Sequence, residues 1–422
     1  MRAVRAVLAA GFLLLIAALI ADPAALGRLP GPPALHGPLG PAGFLWWTLT
    51  VPLIPVFLLV FGHEAWRRVC PLSALSQIPR ALGLSTQKKR ELDRETGAIK
   101  QKLRLVPGAS WLARNASGVQ FTLLVAAVML RVALLNQSRL ALGLFLAGMV
   151  VTALCVGLVF GGKTWCNTFC PISPVQKFYT GPRGLLESRS HLALKVITGS
   201  MCRTHDAAGR EVSACVGCRS PCPDVDLERS YWAELQSPAR ALASFGYAGL
   251  VAGYVSIVLY GVTLPGPRPI AAPATLLLFV LGGWALGLTA LRLWTALRRG
   301  REALARHELF AVTTFLTFNA FYLLGGRALF GLFPEVVRAG LQFGVVFASS
   351  LWLVQSLARS AERYERESLG GNLRKQLHKL NFDSSKVLGG RTLDDLAADA
   401  SGLGTGRPTG CARSRRDRKS VV

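Results

Sequence analysis

The chain has 422 residues, of which 51% are hydrophobic, with a mean hydropathy of +0.39 and a formal net charge of +25. Soluble proteins rarely combine such hydrophobicity with so much unbalanced positive charge, whereas integral membrane proteins carry that charge in the loops between their helices. The composition therefore excludes an ordinary soluble domain, and membrane topology accounts for the positive charge without any binding of nucleic acid.

Apolar segments of about 18 residues or more are long enough to cross a hydrocarbon core of about 30 Å as helices. The first such segment follows a basic start, MRAVR, but no clear small-residue cleavage site comes after it. We therefore expect a retained helix rather than a signal peptide. The sequence predicts an all-α integral membrane protein with about eight transmembrane helices, at residues 3–22, 43–62, 119–136, 140–160, 241–264, 274–296, 309–326 and 337–358.

The charges in the loops predict how the helices are oriented. Residues 63–118 hold eleven Lys or Arg and residues 161–240 hold ten. The alternate loops carry one Arg each: Arg28, Arg139, Arg268 and Arg327. By the positive-inside rule, both termini and both large loops face the cytoplasm of a bacterial cell with the chain in its inner membrane.

These observations divide the chain into seven parts. We expect them to be helices 1–2 (1–62), a basic cytoplasmic loop (63–118), helices 3–4 (119–160), a cytoplasmic cysteine-rich loop (161–240), helices 5–8 (241–358), the start of a cytoplasmic helical region (359–398) and a tail (399–422). The chain ends in DRKSVV, which is the translation of a common sequencing-adapter string. We therefore expect the tail not to be native, the alternative being a natural disordered basic segment.

Seven of the nine cysteines fall in the two large loops, where cytoplasmic thiols stay reduced and clustered cysteine indicates metal or redox chemistry. Within CRTHDAAGREVSACVGCRSPCP, the spacing Cys215-x2-Cys218-x3-Cys222-Pro is similar to the second part of the bacterial ferredoxin run. Cys202, thirteen residues before Cys215, can supply a fourth thiolate. The spacing favours a [4Fe–4S] cluster, and a four-cysteine zinc site on the same residues is the alternative.

A cysteine–proline turn occurs twice, in EAWRRVCPLSALSQ (64–77) and TWCNTFCPISPVQK (164–177). The two copies align at a constant offset of one hundred residues, so that Cys70 matches Cys170 and Trp66 matches Cys166. The alternative is that the turns are only structural, because apolar helices often end in proline and isolated cysteines are common small core residues. A duplicated turn favours two sites that face each other at equivalent helix ends.

A multispan chain with such turns and a ferredoxin-like cysteine run resembles the NapH/NosR-type membrane iron–sulfur proteins, over roughly residues 40–232. The resemblance implies electron transfer between the quinone pool or cytoplasmic donors and partner redox proteins. It implies cluster ligands at Cys166, Cys170, Cys215, Cys218 and Cys222, and a half-motif at Cys70. The chain departs from the family in having Trp66, a single cysteine run, no flavin-bearing domain and four further helices.

The ligand inventory predicts one [4Fe–4S] cluster and allows a second. Two clusters need eight ligands, and the loops offer seven cysteines, so His63, His205 or Asp224 would have to complete the set. Cys155 lies within a predicted span and is a poor ligand. No histidine lies in the middle of a span, which argues against haem, and no nucleotide or flavin motif is visible.

The sequence therefore predicts an electron-transfer protein rather than a stand-alone catalyst, with membrane lipid and a redox partner protein or quinone as its partners. Two alternatives stay open: a redox sensor with an output domain beyond residue 398, and a zinc-stabilised membrane scaffold. The basic segment 87–104 has a helical pattern and is expected to lie on anionic headgroups, dock an acidic partner or be solvated.

Overall fold

The computed structural model describes residues 2–21, 39–84, 86–92, 99–103, 106–107, 110–160, 163–187, 203–205, 211–213 and 226–369. Its architecture is helical, and the number of long apolar helices agrees with the sequence-based prediction. Eight helices are long and apolar enough to cross a membrane, at Ala3–Ile20, Gly40–Leu75, Ala116–Leu135, Arg139–Val159, Pro238–Tyr260, Arg268–Leu297, Glu302–Gly325 and Glu335–Leu357.

The first half of the chain forms four of these spans. They are built from α1 (Arg2–Ile20), α2 (Gly40–Phe44), a π-helical turn (Leu45–Thr50), α3 (Val51–Val69), α7 (Ala116–Leu130) with the π-helical turn Arg131–Leu135, and α8 (Arg139–Val159). Short helices accompany them: α4 (Pro71–Leu75), α5 (Ile78–Ala81) and α6 (Trp111–Arg114). The side chain of Ser138 accepts the N–H of Ala141 at the start of α8, which is a typical N-cap.

The basic segment after α5 corrects one prediction. Instead of a helix over residues 87–104, β1 (Gln87–Leu92) pairs antiparallel with β2 (Ile99–Leu103). Lys, Arg, Gln and Glu all favour helices by intrinsic propensity, whereas strand formation depends on a pairing partner that the local pattern does not reveal. A second small hairpin joins β3 (Arg203–His205) to β4 (Glu211–Ser213).

The second half of the chain supplies the other four spans. A π-helical turn (Trp165–Phe169), α9 (Ser173–Thr180) and α10 (Leu227–Glu234) precede α11 (Pro238–Tyr260), α12 (Arg268–Leu297), α13 (Glu302–Ala320) with the π-helical turn Phe321–Gly325, α14 (Arg327–Phe330) and α15 (Glu335–Leu357). The amide of Asn319 donates to Ser349 Oγ at 2.9 Å, which links α13 to α15 by an interhelical hydrogen bond. Residues 361–369 are also helical.

Glycines let α11 and α12 pack closely, since a Cβ at Gly283 would stand 2.6 Å from the Phe245 carbonyl oxygen. The neighbouring Gly282 has open space beside it, so only Gly283 is needed for the contact.

The segment that follows each cysteine–proline turn packs on a helix of the other repeat. After the first turn, α4 and α5 pack on α8, and the N–H of Thr86 donates to the Leu158 carbonyl oxygen at 2.9 Å. After the second turn, α9 packs on α3, and the N–H of Leu186 donates to the Val60 carbonyl oxygen at 2.7 Å. Residues 86 and 186 are equivalent in the repeat, so each repeat completes the helix end of the other.

A break in α3 makes this exchange possible. Gly62 has φ +74°, a value that L side chains rarely adopt, and it interrupts the helix eight residues before Cys70. A Cβ at Gly184 would stand 2.7 Å from the nitrogen of Gly62, so both glycines are needed for the backbones to approach. The carboxyl of Glu187 accepts the backbone N–H groups of Gly184, at 2.9 Å, and of Glu64 just after the break.

The last four spans hold the second repeat in place. The indole N–H of Trp352 on α15 donates to the carbonyl oxygens of Thr180, at 3.3 Å, and of Arg183, at 3.1 Å. Just beyond α15, Arg359 forms a buried ion pair with Glu228 on α10, with an N–O distance of 2.8 Å. Trp352 and Arg359 therefore support the segment that follows the second turn.

Candidate functional site: two cysteine–proline turns

The two turns have the same backbone conformation. Cys70 ends α3 with φ −60° and ψ 120°, and Cys170 ends its π-helical turn with φ −66° and ψ 117°. The N–H of Cys70 bonds to the Trp66 carbonyl oxygen at 2.8 Å, and that of Cys170 to the Trp165 carbonyl oxygen at 2.9 Å. Because proline follows each cysteine and disfavours helical backbone before it, both helices stop at the cysteine.

The fold brings the turn cysteines together. Cys70, Cys166 and Cys170 are all buried in one cluster of packed side chains. Burial raises the pKa of the Cys170 thiol, and the neighbouring thiols of Cys166 and Cys70 raise it further. Three of the seven predicted ligands therefore lie within electrostatic range of one another, one from the first repeat and two from the second.

A polar contact links equivalent positions of the repeats next to these thiols. Arg67 Nη2 donates to Asn167 Oδ1 at 2.6 Å, across an offset of one hundred residues. Arg67 is 3% exposed, and its charge acts to lower the pKa of Cys170. The sequence analysis missed this pair, although the repeat alignment places its two members at the same position.

Further cations are buried in the same region. Lys163 is 6% exposed, and both it and Lys177 lie within electrostatic range of His63. Burial lowers the pKa of Lys177, although Glu234, 3.1 Å from its Nζ, opposes that shift. Arg67 and Lys163 therefore place positive charge in the interior near the turns.

Two indole N–H groups in the cluster that holds the thiols lack a partner among the described residues. They belong to Trp66 and Trp165. The Nε2 atom of His63 also has no hydrogen-bond partner among the described residues. Trp66 stands where the second repeat has Cys166, and it packs against the buried thiols instead of adding a fourth one. Inorganic sulfide accepts hydrogen bonds, so orphaned indole N–H groups beside three thiols fit an iron–sulfur cluster.

No three His, Cys, Asp or Glu side chains among the described residues are grouped closely enough to hold a single metal ion. The thiolates of a [4Fe–4S] cluster bind four separate iron atoms and stand farther apart than the ligands of one ion. A [4Fe–4S] cluster needs four ligands, so the three turn thiols would need a fourth from another part of the chain.

The other predicted ligands, Cys202, Cys215, Cys218 and Cys222, lie outside the described residues, as does Asp224. Cys155 is exposed on α8 and lies outside the cluster that holds the three turn cysteines. His63 is 2% exposed. Comparison with known proteins adds no assignment, because no family model, curated protein or solved structure matches this chain.

Proposed function

We propose that this membrane protein is an iron–sulfur electron carrier, which passes electrons between a cytoplasmic or quinone donor and a partner redox protein. The observation that supports the proposal most strongly is the meeting of Cys70, Cys166 and Cys170 at two equivalent turns. If these cysteines were only packing residues, the thiols of two repeats would have no need to lie in one buried cluster.

The proposed ligands form two sets. Cys202, Cys215, Cys218 and Cys222 would hold one [4Fe–4S] cluster in the loop between α9 and α10. Cys70, Cys166 and Cys170 would hold three corners of a second cluster, with His63 as a candidate for the fourth. Such a cluster supplies one-electron transfer when it is bound.

The residues around the turns have distinct roles in this proposal. Arg67 and Lys163 offset the negative charge that thiolates and sulfide would bring into the interior. Trp66 and Trp165 would exclude water from such a cluster and would donate their indole N–H groups to its sulfur atoms. The Arg67–Asn167 hydrogen bond holds the two turns in register, so that thiols from separate repeats keep a constant separation.

The orientation of the chain belongs to the same proposal. The basic loops and the turns would face the cytoplasm, so that cytoplasmic or inner-leaflet donors reach the clusters. A partner on the opposite face would then need a separate relay across the membrane.

Metal and sulfide analysis of protein purified without oxygen tests the proposal. We expect at least about four iron and four sulfide per chain, with broad absorbance near 400 nm that dithionite bleaches, as is typical of thiolate-bound iron–sulfur clusters. Cys215→Ser or Cys218→Ser should remove the loop cluster. Cys170→Ser should lower the iron content further only if the turn cluster exists, and Cys155→Ser is the matched control. Stoichiometric zinc without labile sulfide would refute electron transfer and favour the scaffold.

A further inference from the structure

A cavity of about 200 Å³ lies among spans two to five, with Phe321 of the seventh span also in its wall. Leu72, Pro171 and Ile172 of the two cysteine–proline turns line one end of it. Trp47, from the π-helical turn before α3, and Arg131 line the other. Apart from Arg131, the wall consists almost entirely of apolar and aromatic side chains, and the volume far exceeds the roughly 10–15 Å³ that one water needs.

Arg131 is held by two aromatic rings and not by an acid. Its guanidinium carbon stands 3.7 Å from the ring centroid of Trp47 and 4.5 Å from that of Tyr254. Its Nε donates to Asn136 Oδ1 at 3.4 Å. Ring stacking occupies the faces of a guanidinium and leaves the donors at its edge available. Among the described residues, no carboxylate forms an ion pair with it.

This arrangement keeps the guanidinium of Arg131 against the protein. A side chain that snorkels would extend to the headgroup region and leave the interior apolar. Here the guanidinium instead turns between Trp47 and Tyr254 and lines an apolar cavity. A cation in such surroundings is costly unless an anion accompanies it.

We propose that the cavity binds a membrane-resident anionic amphiphile, with its carboxylate or phosphate on Arg131 and one acyl chain against the apolar wall. The charge of Arg131 selects an anionic head over a neutral one, because a carbonyl group would accept a hydrogen bond but leave the charge uncompensated. The apolar wall excludes a free inorganic anion. The same chemistry is offered by a free fatty acid and by an anionic phospholipid.

Fluorescence quenching of the purified full chain in detergent tests the site. The probe is dibrominated stearate, whose bromine atoms quench tryptophans that the chain contacts, and Trp46 and Trp47 both line the cavity. The neutral comparison is the methyl ester of the same acid. We expect saturable quenching by the acid and at least about tenfold weaker binding of the ester, since hydrogen bonds to charged groups contribute about 1.5–3 kcal/mol.

Variants separate the site from general lipid contact. Arg131→Gln should weaken binding of the acid about tenfold, to the level of the ester, while Arg131→Lys retains part of the affinity and shows that the fold persists. Arg139→Gln is the matched control, because Arg139 does not line the cavity and its guanidinium bonds to the Ala21 carbonyl. Dibrominated phosphatidylglycerol, compared with dibrominated phosphatidylcholine, distinguishes a phospholipid from a free fatty acid as the occupant.

Three results would overturn the proposal. One is equal binding of the acid and the ester, and another is an Arg131→Gln variant whose affinity for the acid is unchanged. The third concerns Asp22, the one acidic residue before Glu64, which lies outside the described residues. Binding of the acid that appears only in Asp22→Asn would make Asp22 the counter-ion. None of these measurements needs a loaded cluster, so they are independent of the proposed electron transfer.

Discussion

Replacing Glu187 by Gln should change how the stability of this protein depends on pH. Burial raises the pKa of Glu187 from an ordinary value of 4.5 to about 7, against the opposing hydrogen bonds from Gly184 and Glu64. The folded state therefore binds a proton that the unfolded state releases between about pH 4.5 and pH 7. The stabilising effect of that proton is complete below pH 4.5 and is lost as pH rises through 7.

The magnitude follows from the size of the pKa shift. A difference of about 2.5 pKa units corresponds to roughly 3 kcal/mol, because one unit is about 1.4 kcal/mol. Glutamine keeps a neutral acceptor for the N–H of Gly184 but cannot ionise. Near pH 5 the variant and the wild type should be about equally stable, and near pH 8 Glu187→Gln should be the more stable by up to about 3 kcal/mol.

Thermal unfolding in one detergent, followed from pH 5 to pH 8.5, measures this difference. Every other titrating group is common to both proteins, so the difference between the two curves isolates Glu187. Glu335→Gln is the control, since the side chain of Glu335 is 86% exposed. Parallel curves for Glu187→Gln and the wild type, or a gap that narrows above pH 7, would refute the reasoning.

Three further predictions concern packing and topology. Arg359→Met should cost about 3–5 kcal/mol of stability, because it leaves the carboxylate of Glu228 buried and unpaired, and chemical unfolding of the purified variant measures the loss. Gly184→Val should lower the melting temperature sharply, since its Cβ would stand 2.8 Å from the Cα of Gly62. In intact cells, on protein stripped of metal, a membrane-impermeant thiol reagent should label Arg268→Cys at once. Under the same conditions it should label a single-cysteine variant retaining Cys170 only after the cells are opened.

Each of these predictions has a matched comparison. The double replacement Arg359→Met with Glu228→Leu should recover most of the lost stability, and a full loss in the double variant would contradict the ion-pair argument. Gly148→Ala should be tolerated, because nothing lies within 4 Å of its added Cβ. Labelling of Cys170 from outside would invert the orientation and exchange the donor and acceptor sides.

The spans could be predicted from sequence because length and hydropathy are local properties of a helix. The meeting of Cys70 with Cys166 and Cys170 followed from the constant offset of the repeats, and the structure brings the three thiols together. Their role as ligands stays a prediction, as does that of Cys202, Cys215, Cys218 and Cys222. The hairpin at Gln87–Leu103 was predicted wrongly, because its charged residues favour helices when considered one at a time.

Other parts of the site carried no usable signal in a single sequence. Glu187 lies 123 residues after Glu64, whose N–H it accepts, and no spacing rule connects the two. The approach of Gly184 to Gly62 depends on the exchange of segments between repeats, which is a property of tertiary packing. Trp352 lies in a helix outside the repeats, so only the packed structure shows that it holds the second turn.

The exchange between repeats has a consequence for how the chain is made. When the ribosome has released the first turn, the carbonyl group of Leu158 that Thr86 needs has not yet been synthesised. At about 5–20 residues per second, the second repeat follows some 5–20 seconds later. During that interval the first turn is incomplete, and residues of the second repeat do not yet cover the thiol of Cys70. The buried cluster of turn cysteines therefore has a defined earliest moment of completion, which is the emergence of the second turn.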